Sequence, residues 1–178
     1  SSEEGSAMAQ AYDINAACSG YLYAMQSAYD FLQSRPDGRV MLVTAEVLSP
    51  LLDPNDFDTS IIFGDAASAT LVYGEEHLNK AHARLHRPEV SAKGEDGTVL
   101  SVPLAGEGYI KMQGRRVFTQ AVRLMLSSLN RACRTQGLDV SQLDLIIPHQ
   151  ANQRIAEAMA QRVGAEIFSN IRNLGNTS

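Results

Sequence analysis

Two side chains in this sequence are able to do covalent or proton chemistry and sit where a fold would present them. Cys18 lies in Ala11-Tyr-Asp-Ile-Asn-Ala-Ala-Cys18-Ser-Gly, where four residues of strand character, Tyr12 to Asn15, run into small residues. An apolar pattern follows at Tyr21, Leu22, Met25, Ala28, Tyr29 and Leu32, and its spacing predicts a helix over about 19–33. A sulfur at such a strand-to-helix turn stands near unpaired backbone N–H groups and the positive end of the helix dipole, which favours thiolate. Ala16, Ala17, Ser19 and Gly20 leave room for a substrate to approach. The alternative is a buried cysteine acting as a small hydrophobe. His149 ends the apolar run Leu145-Ile-Ile-Pro148-His149-Gln150 and precedes a predicted helix over 152–163 with Ile155, Met159 and Val163 on one face. Open α/β sheets hold functional groups just past the carboxyl end of a buried strand. A hydrogen-bonded structural histidine is the alternative there.

Other clusters point less to chemistry. Asp53, Asp56 and Asp58 share a loop, but it lacks the glycine and distal glutamate of a calcium-binding EF-hand and reads as a solvated turn. His77, His82 and His86 fall in a polar stretch from Glu75 to Pro88. The last two would share a helix face as metal ligands, yet Pro88 and the lack of a nearby third ligand favour a solvated connection with an exposed strand. Cys133 sits on an apolar helix stripe and reads as core; with only two cysteines and no paired loops, both should be free thiols.

The elements that must position these groups alternate. Arg35-Pro36-Asp37-Gly38 signals a turn, and Val40-Met-Leu-Val-Thr-Ala45 is a continuous apolar run, the pattern of a strand buried on both faces. With the strand before Cys18, the order strand, helix, strand predicts a βαβ unit in an α/β sheet. A further strand is expected over about 68–73 and a short one over Val99 to Leu104, within the loop region Gly94 to Gly108. Gly114 to Gln136 is the clearest helix, with Val117, Phe118, Ala121, Leu124, Met125, Leu129, Ala132 and Cys133 as its apolar stripe and Gly137 as its stop. Arg115, Arg116, Arg123, Arg131 and Arg134 give its other side a basic cast, either a solvated face or a seat for an acidic partner.

The 178 residues, 44% apolar and 20% charged, have the mix of an ordinary globular domain. A formal charge of −5 and a pI near 5.3 argue against nucleic-acid binding. No run is long and apolar enough for a membrane span, and Ser-Ser-Glu-Glu-Gly is not a signal peptide, so a cytoplasmic protein is expected. The chain opens almost directly into a strand and closes on Asn176-Thr177-Ser178, N-cap types with no helix after them, which predicts a domain incomplete at both ends.

Five blocks in order, Asp13-Ile-Asn-Ala-Ala-Cys18-Ser-Gly, Ile62-Phe63-Gly64-Asp65-Ala, Met112-Gln-Gly114-Arg-Arg-Val117-Phe118, Pro148-His149-Gln150-Ala-Asn152-Gln-Arg154-Ile155 and Gly175-Asn176-Thr177-Ser178, resemble the β-ketoacyl-acyl-carrier-protein synthase III family of thiolase-like condensing enzymes. The resemblance implies an α/β fold of two stacked halves, with residues 1–80 as the later part of the first and 81–178 as the earlier part of the second. It implies that the glycine-rich loop and the early pocket-forming segment of the family are absent. It assigns Cys18 as the acyl-carrying nucleophile, and His149 and Asn176 as donors to the enolate formed when malonyl-carrier protein loses CO2. Phe63 would line the acyl pocket, Phe118 and Asn152 would contact pantetheine, and Arg154 would receive the acidic carrier protein. Acyl-CoA and acyl carrier protein are the implied partners, with a homodimer, no metal and no cofactor. Phe57 stands where members often carry an arginine that stacks on the CoA adenine; a phenyl ring stacks but cannot bind phosphate. Two further readings stay open: a relative transferring acyl groups to oxygen or nitrogen or condensing without decarboxylation, and a truncated non-catalytic partner subunit.

Overall fold

The computed structural model describes residues 9–103 and 108–178. The Ser-Ser-Glu-Glu-Gly start and Leu104 therefore lie outside the described residues. Helix α1 (Gly20–Gln33) is entered through a 3-10 turn at Ala17–Ser19. It buries Ala28 and Leu32, while Tyr21 and Leu22 at its start stay exposed. The expected turn follows, closed by Gly38 N–H donating to the Arg35 carbonyl at 2.8 Å. Next come β1 (Arg39–Glu46), the single-turn helix α2 (Phe57–Ser60) and β2 (Ala66–Tyr73).

Here the structure corrects the reading of the first half. β1 and β2 pair antiparallel, Arg39 opposite Tyr73 and Glu46 opposite Ala66. A parallel return needs a long crossover, usually helical, and one turn of α2 only reverses the chain. Tyr12 to Asn15 form no strand, because no ladder partner exists for them among the described residues and Tyr12 is 72% exposed. β1 is buried on one face only: alternate residues point outward, with Met41 and Val43 both exposed. Period-two alternation in exposure is what a two-stranded ribbon produces, whatever the side chains.

The loop from β1 to β2 is held by Asp65, whose carboxylate accepts from Leu48 N–H at 2.7 Å, Ser49 N–H at 2.9 Å and the Ser49 hydroxyl. Those donors hold its carboxyl below the usual range. Asp53 accepts from Asn55 N–H and Asp56 caps α2 through Asp58 N–H, so these carboxylates serve their own turn. Beyond β2 a 3-10 segment spans Glu75–Lys80, where an exposed strand was expected within 75–88. His77 ties it back by donating from Nε2 to the Asp37 carbonyl at 2.8 Å. Residues 81–93 have no regular structure, again without a ladder partner among the described residues. They are nonetheless anchored on two helices: Arg87 makes a two-pronged pair with Asp30 of α1 at 2.8 and 2.9 Å, and Glu89 accepts from Arg131 at 2.9 Å and from Thr135.

The second half opens with the two-residue antiparallel pair β3 (Leu100–Ser101) and β4 (Lys111–Met112), shorter than the expected strand. Helix α3 (Gly114–Thr135) follows, and the left-handed Gly137 ends it. Its buried side holds Val122 and Cys133, while Leu124 is turned outward. An Asp139–Gln142 capping box then leads into β5 (Leu145–Ile146), α4 (Gln153–Ala160) and β6 (Glu166–Ile167). β5 and β6 pair in parallel across α4, so the strand–helix–strand unit exists here and not around β1. α4 stops at Ala160, short of Val163. Val122, Ile155 and Met159 form the core of this half, with Phe118, Met125, Leu126 and Ile167 packed on it.

The single-turn helix α5 (Ile171–Leu174) brings the chain back to the first half. Asn176 forms a parallel bridge with Phe63: its N–H donates to the Ile62 carbonyl at 2.8 Å, and its carbonyl accepts from Gly64 N–H at 2.9 Å. The approach needs two glycines. A Cβ on Gly64 would run into the Leu174 carbonyl, and Gly175 has φ +71° with the Ile62 carbonyl 3.1 Å from where its Cβ would be.

Two outcomes follow for stability. Met159→Ala, emptying a site that is 2% exposed, is expected to cost about 2–4 kcal/mol in a urea titration. Gly64→Ala is expected to cost about 1–3 kcal/mol and to unseat the residue 174–176 loop, read as loss of hydrogen-exchange protection at the Asn176 and Gly64 amides.

Candidate active site

Cys18 occupies the 3-10 turn directly before α1 and is exposed. That removes the buried-hydrophobe alternative; Cys133, buried on α3, takes that role instead. The turn is built by Ser19 N–H donating to the Ala16 carbonyl at 3.0 Å and by Asn15 Oδ1 accepting from Ala17 N–H at 3.4 Å. Ala17 has φ +45°. A residue with a Cβ in the left-handed region stores about 1–2 kcal/mol of strain, and such strain gathers where a side chain must be held out of its regular element. Nothing in the residue type foretells it.

The sulfur is met from the far end of the chain. Ser178 donates its hydroxyl to Cys18 Sγ at 3.8 Å, and Ser178 N–H in turn donates to Asn176 Oδ1 at 3.0 Å. Asn176 is buried, at 6% exposure, and fixed through its own backbone to Ile62 and Gly64. With Oδ1 occupied, its Nδ2 is the end left for donation. Cys18 and Asn176 are thus brought together through Ser178, which the sequence reading quoted only as part of a block.

His149 follows Pro148 past β5, and its carbonyl accepts from Ala151 N–H at 3.0 Å. Its imidazole is joined to Cys18 or Asn176 by no hydrogen bond among the described residues. Burial lowers its pKa from the ordinary 6.5, so at neutral pH the ring is uncharged, with one nitrogen donating and one accepting. Gln150 connects its loop to the one carrying Asn176: Nε2 donates to the Pro148 and Phe168 carbonyls at 2.9 and 3.2 Å, and Oε1 accepts from Asn170 N–H at 3.0 Å. Sequence reasoning had assigned Gln150 no role. Its signal is a glutamine between two loops, which only the fold makes legible.

The remaining site residues are spread over the two halves. Phe63 is half-buried and held by the bridge to Asn176. Phe118 packs on the α3–α4 core and also lines a hollow with Thr119, Arg123 and Arg162. Asn152 caps α4, its Oδ1 accepting from Arg154 N–H at 2.9 Å. Arg154 is exposed in the first turn of α4, where the helix dipole disfavours a cation, and has no ion pair among the described residues. Phe57, at the start of α2, is 71% exposed. His77 is committed to Asp37, and no group of three metal-ligating side chains occurs among the described residues. No helix among them is long and apolar enough to cross a membrane.

The family model described as 3-oxoacyl-[acyl-carrier-protein] synthase III matches residues 12–94, and its C-terminal counterpart matches 133–178. The first match holds Cys18 and Phe63; the second holds His149, Asn152, Arg154 and Asn176. The beta-ketoacyl-[acyl-carrier-protein] synthase III of Nitratidesulfovibrio vulgaris strain DP4 is 40% identical over 183 residues, covering 94% of this chain and 56% of that protein. The chain thus spans little more than half the length of that relative. Among solved structures, the synthase III of Thermus thermophilus superposes with a TM-score of 0.79 at 30% identity, over 94% of this chain and 55% of the other. The priming beta-ketosynthase of a polyketide biosynthetic pathway gives 0.78 at 26% identity, over 93% and 53% respectively. These are α/β proteins of the thiolase-like class, and the two family matches between them take in most of the chain, with Phe118 outside both. The chain belongs to the 3-oxoacyl-acyl-carrier-protein synthase III family.

Proposed function

We propose that this chain carries the acyl-transfer and condensing chemistry of a β-ketoacyl-acyl-carrier-protein synthase III in fatty-acid or polyketide assembly. The observation that carries the reading is the exposed Cys18 sulfur at the head of α1 with the Asn176–Ser178 loop seated on it. In the first half-reaction the sulfur attacks the thioester carbonyl of an acyl-CoA; a C–S bond forms to Cys18, and CoA leaves as the thiol after taking a proton. The nucleophile splits one difficult condensation into two easier steps.

In the second, malonyl-carrier protein loses CO2 and the electron pair becomes an enolate. Donation from the uncharged His149 ring and from Asn176 Nδ2 lowers the energy of that oxyanion. The carbanion attacks the acyl-Cys18 carbonyl, a C–C bond forms and the Cys18 sulfur departs with the electron pair. Loss of CO2 drives the step, so the reaction as proposed calls for no metal or redox group. Phe63 would line the acyl site, and Phe118 and Asn152 the pantetheine arm. Arg154, a cation on a helix end that disfavours it, would receive the acidic carrier protein. The reading carries with it a cytoplasmic homodimer, and a division into a first half over residues 1–80 and a second over 81–178, although the first family match runs on to residue 94.

Incubation with acetyl-CoA is expected to add one acetyl group by intact mass, and Cys18→Ala to add none. A folded chain that gains no adduct overturns the acetyl-primed reading and directs the search to longer or carrier-bound donors. His149→Ala is expected to keep the adduct but to slow malonyl decarboxylation by about 10²–10³-fold. Because burial lowers the His149 pKa, the uncharged donor persists as pH falls through 6.5. Decarboxylation should therefore stay level across that range and decline only at more acid pH, whereas a profile breaking at or above 6.5 would contradict the lowered His149 pKa.

A further inference from the structure

The nucleophile has one side-chain hydrogen-bond partner among the described residues, and the roles assigned above do not use it. Ser178 Oγ lies 3.8 Å from Cys18 Sγ, within reach of a hydroxyl donating to sulfur though at the long end of it. Its position is built. Ser178 has φ +72°, and its N–H is bound by Asn176 Oδ1 at 3.0 Å. Asn176 is locked by two backbone hydrogen bonds to residues 62–64. The hydroxyl is thereby carried to the sulfur on a short, doubly anchored segment. No ionisable side chain hydrogen-bonds or pairs with Cys18 among the described residues, and Asn15 Oδ1 is spent on the Ala17 amide. The sulfur's one directed polar contact from a side chain is this hydroxyl.

We infer that Ser178 is a positioning residue of the condensing site: its hydroxyl donates to the Cys18 sulfur whenever that sulfur carries negative charge, as the attacking thiolate and again as the leaving group of the second half-reaction. The inference rests on Cys18 being the nucleophile proposed above. Hydrogen bonds to a charged acceptor are worth more than those to a neutral one. The hydroxyl therefore favours thiolate over thiol, and loosens its hold when the sulfur becomes a thioester. As the carbanion attacks, the C–C bond forms, the C–S bond breaks and the electron pair returns to sulfur, where the Ser178 O–H meets it. Asn176 then has two tasks, holding Ser178 through Oδ1 and facing substrate through Nδ2.

The test is alkylation of Cys18 by iodoacetamide, followed by intact mass across a pH series, with Cys18→Ala marking the background from Cys133. Ser178→Ala is expected to move the rate–pH curve to higher pH and slow alkylation near neutral pH about tenfold, while the plateau at high pH is unchanged. Ser178→Thr, which keeps a hydroxyl, is expected to restore the curve, and Thr177→Ala to leave it alone. An unmoved curve in Ser178→Ala overturns the inference. So does a uniform slowing at every pH, plateau included, since that reports lost access or lost fold. If Ser178→Ala does not fold, Ser178→Gly, which suits the left-handed backbone and also lacks the hydroxyl, takes its place, and an unmoved curve there overturns the inference. Alkylation needs no acyl donor. A chain that alkylates as expected yet gains no acetyl group from acetyl-CoA would count against the proposed function and not against Ser178.

Discussion

The arrangement depends on a very short piece of parallel sheet. Phe63 and Asn176 exchange backbone hydrogen bonds through Ile62 and Gly64, and this bridge carries the end of the chain to the head of α1. Each bond is worth only about 1 kcal/mol net, yet together they seat the residue 176–178 segment beside Cys18. The bridge constrains the backbone more than the side chains: it requires glycine at 64 and a left-handed glycine at 175. The Arg87–Asp30 and Glu89–Arg131 pairs then act as struts on a segment with no regular structure. Arg87–Asp30 is about half exposed and Glu89–Arg131 part-buried, so the value of the first lies in direction more than in energy.

Helix ends are used with a consistent division of labour. The N-terminal end of α1 presents Cys18, and that of α4 is closed by Asn152 and presents Arg154. Gln150 spans the gap between the His149 loop and the residues leading into α5. The candidate donors are therefore set by second partners. Asn176 Oδ1 is engaged, which leaves Nδ2 for donation, and burial lowers the His149 pKa. Geometry fixed by packing costs nothing at the moment of reaction.

Much of this was legible in the residue pattern, for reasons that separate by range. α1, α3 and the turn at 35–38 depend on local periodicity and turn chemistry, and each lies within a residue or two of expectation. Strand partners are not local. An apolar run such as Val40 to Ala45 looks the same whether one face is covered or two, and Tyr12 to Asn15 have strand character without a ladder. The βαβ unit read around α1 fails for want of its first strand: Tyr12 to Asn15 find no ladder partner among the described residues, and a partner cannot be seen in a strand's own residues. Cys18 and His149 were found from their positions at element ends. Asn176 came only with the family resemblance, and Ser178 and Gln150 went unassigned because their partners lie on distant segments. Ala17 carries no sequence signal for its backbone strain.

The contact between Cys18 and Ser178 joins residues 160 positions apart. Closing so long a loop costs entropy before any contact repays it, and a single weak hydrogen bond does not nucleate that closure. Helices such as α3 form from neighbours along the chain, whereas the nucleophile's surroundings wait for the bridge at Phe63. On loop-closure entropy alone, this contact is among the costliest in the chain to close. The Cys18 thiol is thus carried by a locally formed helix, while the segment that meets it is held only by distant contacts.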